Sequence, residues 1–204
     1  MHDTRLWRVV RHYMEQALAR RDLSGVRNVG FDETASKRGH DYVSVFVDLE
    51  PSKVIFATEG KDSSTLGRFK TFLEEHGGRG ENIERMCCDM SQAFIKGARE
   101  HFPGAKLTFD KFHVREEGEL LLKRWYFWAT HSRLNAMVGA ARTIKHHWDG
   151  VLQWFESRIN NGILKGINSL IQACKARARG YRSKENLISM IYLIAGRLQI
   201  GLPT

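Results

Sequence analysis

A chain of 204 residues with 42% hydrophobic content can bury one good core, and this composition excludes a disordered protein. Its 32 lysines and arginines against 23 aspartates and glutamates give a formal net charge of +9, which favours a polyanionic partner such as nucleic acid. No apolar run reaches the roughly 18 residues that a membrane span requires, and the N-terminal segment is too charged for a signal peptide. We therefore predict a soluble, cytoplasmic protein with no membrane partner.

The cysteines argue against a disulfide framework or a zinc site. Only Cys87, Cys88 and Cys174 occur, without a CxxC spacing. Cys87 and Cys88 are adjacent, so on a strand their side chains would point to opposite faces. We interpret all three as reduced, partly buried thiols.

The first half of the chain predicts a helix followed by a three-stranded meander. Apolar residues recur at helical spacing over residues 6–17. Three β-type runs follow at 28–31, 41–49 and 53–58, and the tight turn "LEPSK" favours antiparallel pairing of the last two. The stretch "DSSTLGRFKTFLEEHGG" then has N-cap candidates, an apolar face and a glycine stop, which indicate a helix crossing the sheet.

The next segments extend this meander into a mixed sheet. A strand over 83–90 ends in an acid, a helix follows, and a strand over 105–110 ends in another acid. Strands joined through helices return parallel to their neighbours. From residue 111 onward only helical periodicity is found. The order βββαβαβ predicts an α/β fold with a ribonuclease-H-like mixed sheet and a helical C-terminal half, in which strands one and four bring Asp32 and Asp89 together.

Four stretches resemble a known family. They are "VGFDETASKRGHDYVSVFVDL", "CCDMSQAFIKGAREHFPGAKLTFDKFHV", "KRWYFWATHSRL" and "WFESRINNGILKGINSLIQACKARARGYRSKENLISMIYLIAGRL", and together they cover nearly all of the chain. They resemble the insertion-sequence transposases of the ISL-three type, which are DDE recombinases with a retroviral-integrase-like core. The resemblance implies metal-dependent cleavage and transfer of DNA strands by a homo-oligomer acting on double-stranded DNA in the bacterial cytoplasm, nucleoid-associated when bound.

The resemblance also assigns the catalytic acids. The first belongs to the family's G-x-D-E motif and is Asp32, and the second belongs to its D-M-S motif and is Asp89. Both are implied ligands of a two-metal Mg²⁺ or Mn²⁺ site. The third is the glutamate of an E-G-x-N motif, but this chain reads "LKGIN" and has Lys165 there. We therefore expect weakened metal binding and impaired catalysis; the alternative is a non-catalytic DNA-binding remnant.

Other residues are weaker candidates for the site. Glu156 lies nine positions upstream of Lys165 and could replace the missing acid. Asp110 and His113 could form a metal pair, although a supporting hydrogen-bond role is favoured. Glu33 should point to the other side of its strand, where we expect a structural role.

Two departures from the family pattern affect the expected domain organisation of this chain. Residues 1–24 resemble the helical tail of a missing DNA-recognition region, and residues 25–204 resemble the catalytic core with its helical C-terminal part. The stretch "FHVREEGELLLKRWYFW" joins two segments that a long insertion separates in the family, which indicates an internal shortening.

The basic stretch after the third-acid motif is the candidate DNA-contact segment. Its members are Lys175, Arg177, Arg179, Arg182 and Lys184. Such contacts would be to phosphates and independent of sequence, and the alternative is a solvated basic face. The aromatic cluster "RWYFW" has the spacing of a buried helix face, so core packing is preferred to base stacking. His146 and His147 are interpreted as ordinary surface or packing residues.

Overall fold

A computed structural model of the chain describes residues 3–37, 41–89, 91–109, 118–151 and 162–201. The strands are β1 Asn28–Ala35, β2 Tyr42–Asp48, β3 Lys53–Glu59, β4 Arg85–Cys88 and β5 Lys106–Phe109. The helices are α1 Asp3–Ala19, α2 Ser64–Glu75, α3 Gln92–His101, α4 Gly118–Thr130, α5 Asn135–His146, α6 Gly162–Arg177 and α7 Lys184–Ala195, with a 3₁₀ turn at Gly80–Asn82.

The described strands form one sheet in the order β3-β2-β1-β4-β5. β1 pairs antiparallel with β2, and β2 pairs antiparallel with β3. β4 lies parallel to β1 and to β5, as strands that return through helices must. The predicted ribonuclease-H-like mixed sheet is therefore confirmed, with strands one and four as neighbours.

β1 is longer than the sequence predicted. We expected it to end at Phe31, but it continues to Ala35, with Glu33 paired to Ser44 and Thr34 to Val43 of β2. The ladder with β2 satisfies the backbone polar groups of these residues, so the strand continues past its acids. Asp32 consequently lies inside β1 and not at its end.

The face of the sheet toward α2 and α3 is packed with aromatic side chains. Phe46 stacks on Phe69 with ring centroids 4.5 Å apart, and Phe31 contacts the ring of Phe94 edge-on at 5.3 Å. These side chains are fully buried together with Cys88. Burial of such rings supplies much of the apolar free energy of folding.

The opposite face is covered by α6, α7 and α1. Val45, Cys87, Leu164 and Ile191 lie in one buried cluster on this side. Cys87 and Cys88 are thus buried in opposite clusters, which confirms the prediction that their side chains point to opposite faces of the sheet.

The N-terminal helix belongs to this second layer. Met14 of α1 is buried in the same cluster as Ile191, and Arg11 of α1 bonds Glu185 of α7 at 3.1 Å. The division after residue 24 stays a prediction. Among the described helices, none is both long and apolar enough to span a bilayer.

Candidate active site and basic surface

The two acids are brought together by the parallel pairing of β1 with β4. Gly30 pairs with Cys87, and each earlier pair has the same offset. Continuing this offset for two residues places Asp89, directly after β4, level with Asp32. Burial raises the pKa of the Cys88 thiol well above its usual range, and the charges of Cys87, Asp89 and Asp32 raise it further, which places both acids near this residue. The geometry therefore supports a paired arrangement, while the ligand role of both acids stays a prediction.

Both carboxylates are oriented by hydrogen bonds. Asp32 Oδ1 accepts from the backbone N–H of Glu33 at 2.8 Å, and its Oδ2 accepts from Asn168 Nδ2 at 2.8 Å. Asp89 Oδ1 accepts from the backbone N–H of Ser91 at 2.9 Å. Such charge-assisted bonds hold a carboxylate in one orientation.

Asn168 is the site residue that the sequence analysis missed. It lies on α6 and also donates to the backbone oxygen of Glu33 at 3.3 Å. Its signal was present, because it is the asparagine of "LKGIN", three residues after Lys165. The third motif therefore reaches β1 through its amide.

A row of side chains fixes α6 along β1. Beyond Asn168, Gln172 donates to Thr34 Oγ1 at 2.5 Å, and Lys175 Nζ donates to the carbonyl of Ala35 at 2.7 Å. Residues 168, 172 and 175 are one turn apart and share a helix face. These bonds extend the buried contact between α6 and the sheet, and they fix the position of α6 over Asp32.

Lys165 lies beside the part of β1 that follows Asp32. It is exposed on α6, one turn before Asn168, and lines a surface depression of about 480 Å³ with Glu33, Thr34 and Asn168. A side chain at this position faces the same depression as the β1 segment that bears the first acid. Its assignment as the third-acid position stays a prediction.

Glu33 is half-buried, and its ionised side chain carries an electrostatic cost. Its Oε2 atom is buried and has no hydrogen-bond partner in the described part of the chain. Burial raises the pKa of Glu33, and Asp89 and Asp32 raise it further against the opposing charge of Lys61. Strand alternation places this side chain on the face of Phe31, opposite Asp32. Its structural role stays a prediction.

The donor set fits a divalent cation in part. Two neighbouring carboxylates are the hard oxygen ligands that Mg²⁺ prefers. Within the described ranges, however, no group of three or more His, Cys, Asp or Glu side chains could hold a metal ion. Asp32 and Asp89 are thus the residues that would hold one.

A basic depression adjoins this site. Its volume is about 730 Å³, its cationic lining is Lys37, Lys175, Arg179 and Arg182, and it shares Gln172 with the smaller depression. Among the described residues that line it, none is an acid. The two depressions are therefore neighbours along α6, one beside the β1 segment after Asp32 and the other among the cations.

The predicted basic segment is not uniform. Arg177, Arg179 and Arg182 are exposed, whereas Lys175 is half-buried against the Ala35 carbonyl. Lys184 instead bonds Asp41 at 3.2 Å and Glu59 at 3.1 Å. The sequence analysis included Lys184 on the assumption that few acids compensate this segment. For Lys184 that assumption was wrong, because Glu59 of β3 and Asp41, just before β2, both pair with it.

The prediction for the aromatic cluster was wrong for half of its members. Trp125 and Tyr126 are half-buried, but Phe127 is 64% and Trp128 is 73% exposed. Among the described helices, α4 packs one stripe against α5, and a helix with aromatic residues on all sides cannot bury them all against one neighbouring helix.

Two of the remaining candidates lie within the described residues and three lie outside them. His147 is buried and its Nε2 lies 2.9 Å from Gln92 Nε2, while His146 is exposed, so the surface or packing interpretation is confirmed. Asp110, His113 and Glu156 lie outside the described residues, and their roles stay predictions.

The sheet order and the paired acids define a ribonuclease-H-like core of the kind found in DDE recombinases. The chain belongs to the ISL3 family of DDE transposases, because the family model described as "Transposase" matches residues 29–116 and 115–191.

Two curated transposases illustrate this relationship. The transposase of insertion sequence element IS1001 from Bordetella parapertussis is 23% identical over 244 residues, covering 80% of this chain and 60% of the relative. That of IS1557 from Mycobacterium tuberculosis (strain CDC 1551 / Oshkosh) is 32% identical over 92 residues, covering 45% and 20%. The chain thus spans less than two thirds of the length of either relative.

Solved structures with similar chains are integrases. The catalytic core domain of BIV integrase is 10% identical with a TM-score of 0.35, covering 86% of this chain and 88% of that chain. The HTLV-2 integrase catalytic core domain, solved with magnesium, is 18% identical with a TM-score of 0.28, covering 59% and 85%.

Proposed function

We propose that this chain carries the strand-cleavage and strand-transfer centre of an insertion-sequence transposase, with its metal site weakened by Lys165. The observation that carries the proposal is the bond of Asn168, in the third motif, to Asp32, and it is supported by the parallel register of β1 and β4, which leads from Gly30 and Cys87 toward Asp32 and Asp89. Family membership supplies the reaction class.

The chain's own residues hold the site in a fixed orientation. The Glu33 N–H and the Asn168 amide hold the Asp32 carboxylate, and the Ser91 N–H holds that of Asp89. Bound Mg²⁺ or Mn²⁺ ions would activate a water or a 3′ hydroxyl and stabilise the leaving oxygen. Preset carboxylates avoid the cost of reorienting when the cations arrive.

Lys165 acts against this site through its charge. A unit charge pair about 4 Å apart at an effective dielectric near 20 is worth roughly 4 kcal/mol. An ammonium at the rim of the depression therefore opposes a cation that a carboxylate would attract. We expect weak metal binding and impaired catalysis.

The two neighbouring depressions indicate where DNA would lie. Phosphates of double-stranded DNA would contact Arg179, Arg182 and Lys37 and lead the backbone past Gln172 toward the acids. These contacts do not depend on base sequence. Assembly into a homo-oligomer on DNA in the bacterial cytoplasm belongs to the same proposal.

Internal shortening is part of the proposal as well. The alignment with the Bordetella relative extends over 244 positions, more than the 204 residues of this chain, so that relative has residues without a counterpart here. The two family matches meet at residues 115–116. This supports a missing segment between β5 and α4.

A second candidate function is a non-catalytic DNA-binding remnant. It is favoured by Lys165 in the depression beside the acid-bearing strand and by the retained arginines. Such a chain would bind DNA and compete with an intact transposase without cutting.

A cleavage assay separates the two candidates. DNA carrying the ends of the parent element is incubated with the chain and Mg²⁺ or Mn²⁺, with Asp89→Asn as the inactive control. Metal-dependent nicking that Asp89→Asn abolishes supports the enzyme, whereas binding without nicking supports the remnant. Nicking that survives in Asp89→Asn would remove the proposed site.

A further inference from the structure

Helix α4 has a buried side and an exposed side. Leu122 is buried and Trp125 is half-buried in a small cluster with Ile144 of α5, and Ala129 is buried as well. The other side displays the adjacent rings of Phe127 and Trp128 to solvent. Contiguous exposed apolar patches often mark interaction sites.

The exposed side alternates cations with aromatic rings. Lys123 precedes Phe127 by one turn, and Arg124 precedes Trp128 by one turn, so each cation lies beside a ring on the helix surface. These four residues and the edge of Trp125 line an open depression of about 670 Å³. We call the set Lys123, Arg124, Phe127 and Trp128 the α4 face.

The positive charge around the α4 face favours some binding partners over others. Residues 118–151 contain five lysines and arginines against two acids. A second copy of this chain docked on the same face would bring Lys123 and Arg124 against their own counterparts, which is unfavourable. A polyanion with flat apolar rings has the complementary charge and shape.

The hairpin formed by α4 and α5 contacts the helix that follows Asp89. His147 at the end of α5 bonds Gln92, which begins the helix that follows Asp89. The α4–α5 hairpin is therefore anchored beside the strand end that carries the second acid.

We propose that the α4 face binds unpaired bases of a DNA strand, with Phe127 and Trp128 stacking on bases and Lys123 and Arg124 contacting phosphates. The proposal deepens the proposed function, since it names single-stranded DNA as the form of substrate held beside the acids. Aromatic stacking tolerates any base, because every base has a π face.

Binding of a fluorescent 20-nucleotide oligo(dT) and of a labelled duplex of equal length tests it by anisotropy at fixed salt. Trp128→Ala should bind oligo(dT) roughly 5- to 150-fold more weakly, the range for loss of one stacked base, with duplex affinity unchanged. Trp128→Leu keeps an apolar side chain without the π face and should be weakened similarly. Leu134→Ala, which truncates a residue that is 61% exposed, should have no effect.

Two results would overturn the proposal. Oligo(dT) affinity of Trp128→Leu equal to that of the unmodified chain would show that stacking is absent. A change in sedimentation with no change in oligo(dT) affinity for Trp128→Ala would identify the face as a contact between copies. Arg177→Ala/Arg179→Ala serves as the separate control, because its loss of duplex affinity reports on the proposed function alone.

Discussion

Gly30 of β1 pairs with Cys87 of β4 in a parallel ladder, 57 positions apart in the chain, and the same offset carried on for two residues relates Asp32 to Asp89. The constant offset of this pairing sets their relation, so the acid pair depends on the sheet register and on the helix that presses on β1.

Asn168→Leu should free the Asp32 carboxylate and destabilise the chain. The amide donates to Asp32 Oδ2 at 2.8 Å, and a half-exposed bond to a charged group is worth about 1–2 kcal/mol. Urea unfolding measures the loss. Ser169→Ala, at an exposed neighbour on α6, is the control. Equal stability of the two variants would show that the amide contributes nothing.

Gly30→Val should push α6 away from the sheet. A Cβ atom at Gly30 would lie 2.7 Å from Leu49 Cδ2 and 3.0 Å from Leu164 Cδ2, so the buried leucines must shift. Overpacking of this kind costs about 1–3 kcal/mol. Gly166 lies on α6 with open space around its Cβ position, so Gly166→Ala should raise the free energy of unfolding by up to about 1 kcal/mol. A Gly30→Val midpoint at or above that of the unmodified chain would contradict the close contact.

Glu33→Gln should raise stability at neutral pH. The folded pKa of Glu33 is raised by burial and then by Asp89 and Asp32, so its ionisation opposes folding. This loss sets in as pH rises from the unfolded value near 4.3 through the folded pKa. The advantage of Glu33→Gln should therefore shrink as pH falls below about 4. Thermal unfolding from pH 3 to 8, with exposed Glu100→Gln as control, measures it. A pH-independent difference would argue against the buried charge.

The triple variant Arg177→Ala/Arg179→Ala/Arg182→Ala should bind duplex DNA more weakly and with a shallower salt dependence. Each lost phosphate contact reduces the slope of log K against log salt by about 0.9. Lys184→Ala is the matched control, because Lys184 is paired with Asp41 and Glu59. An unchanged slope in the triple variant, or an equal change in Lys184→Ala, would place the DNA elsewhere.

The sequence predicted the fold well because its signals are local. Strand alternation and helix periodicity fixed the element order, and crossover rules fixed which strands are parallel. The length of β1 was missed because pairing with β2 extends it past its acids. Partners of a side chain are not local, so neither the bond of Asn168 to Asp32 nor the ion pairs of Lys184 could be read from spacing. The exposure of Trp128 was missed because periodicity does not show how many helices pack around α4.

Calorimetric titration of Mn²⁺ or Mg²⁺ into the unmodified chain and into Lys165→Glu tests the central claim most directly. If Lys165 occupies the third-ligand position beside Asp32 and Asp89, the substitution turns a repelling ammonium into a coordinating carboxylate, and the dissociation constant should fall measurably. Adding Asp89→Asn to Lys165→Glu should abolish the gain, because the second ligand is then lost. Metal binding by the unmodified chain as tight as that of Lys165→Glu would show that the lysine is not at the site.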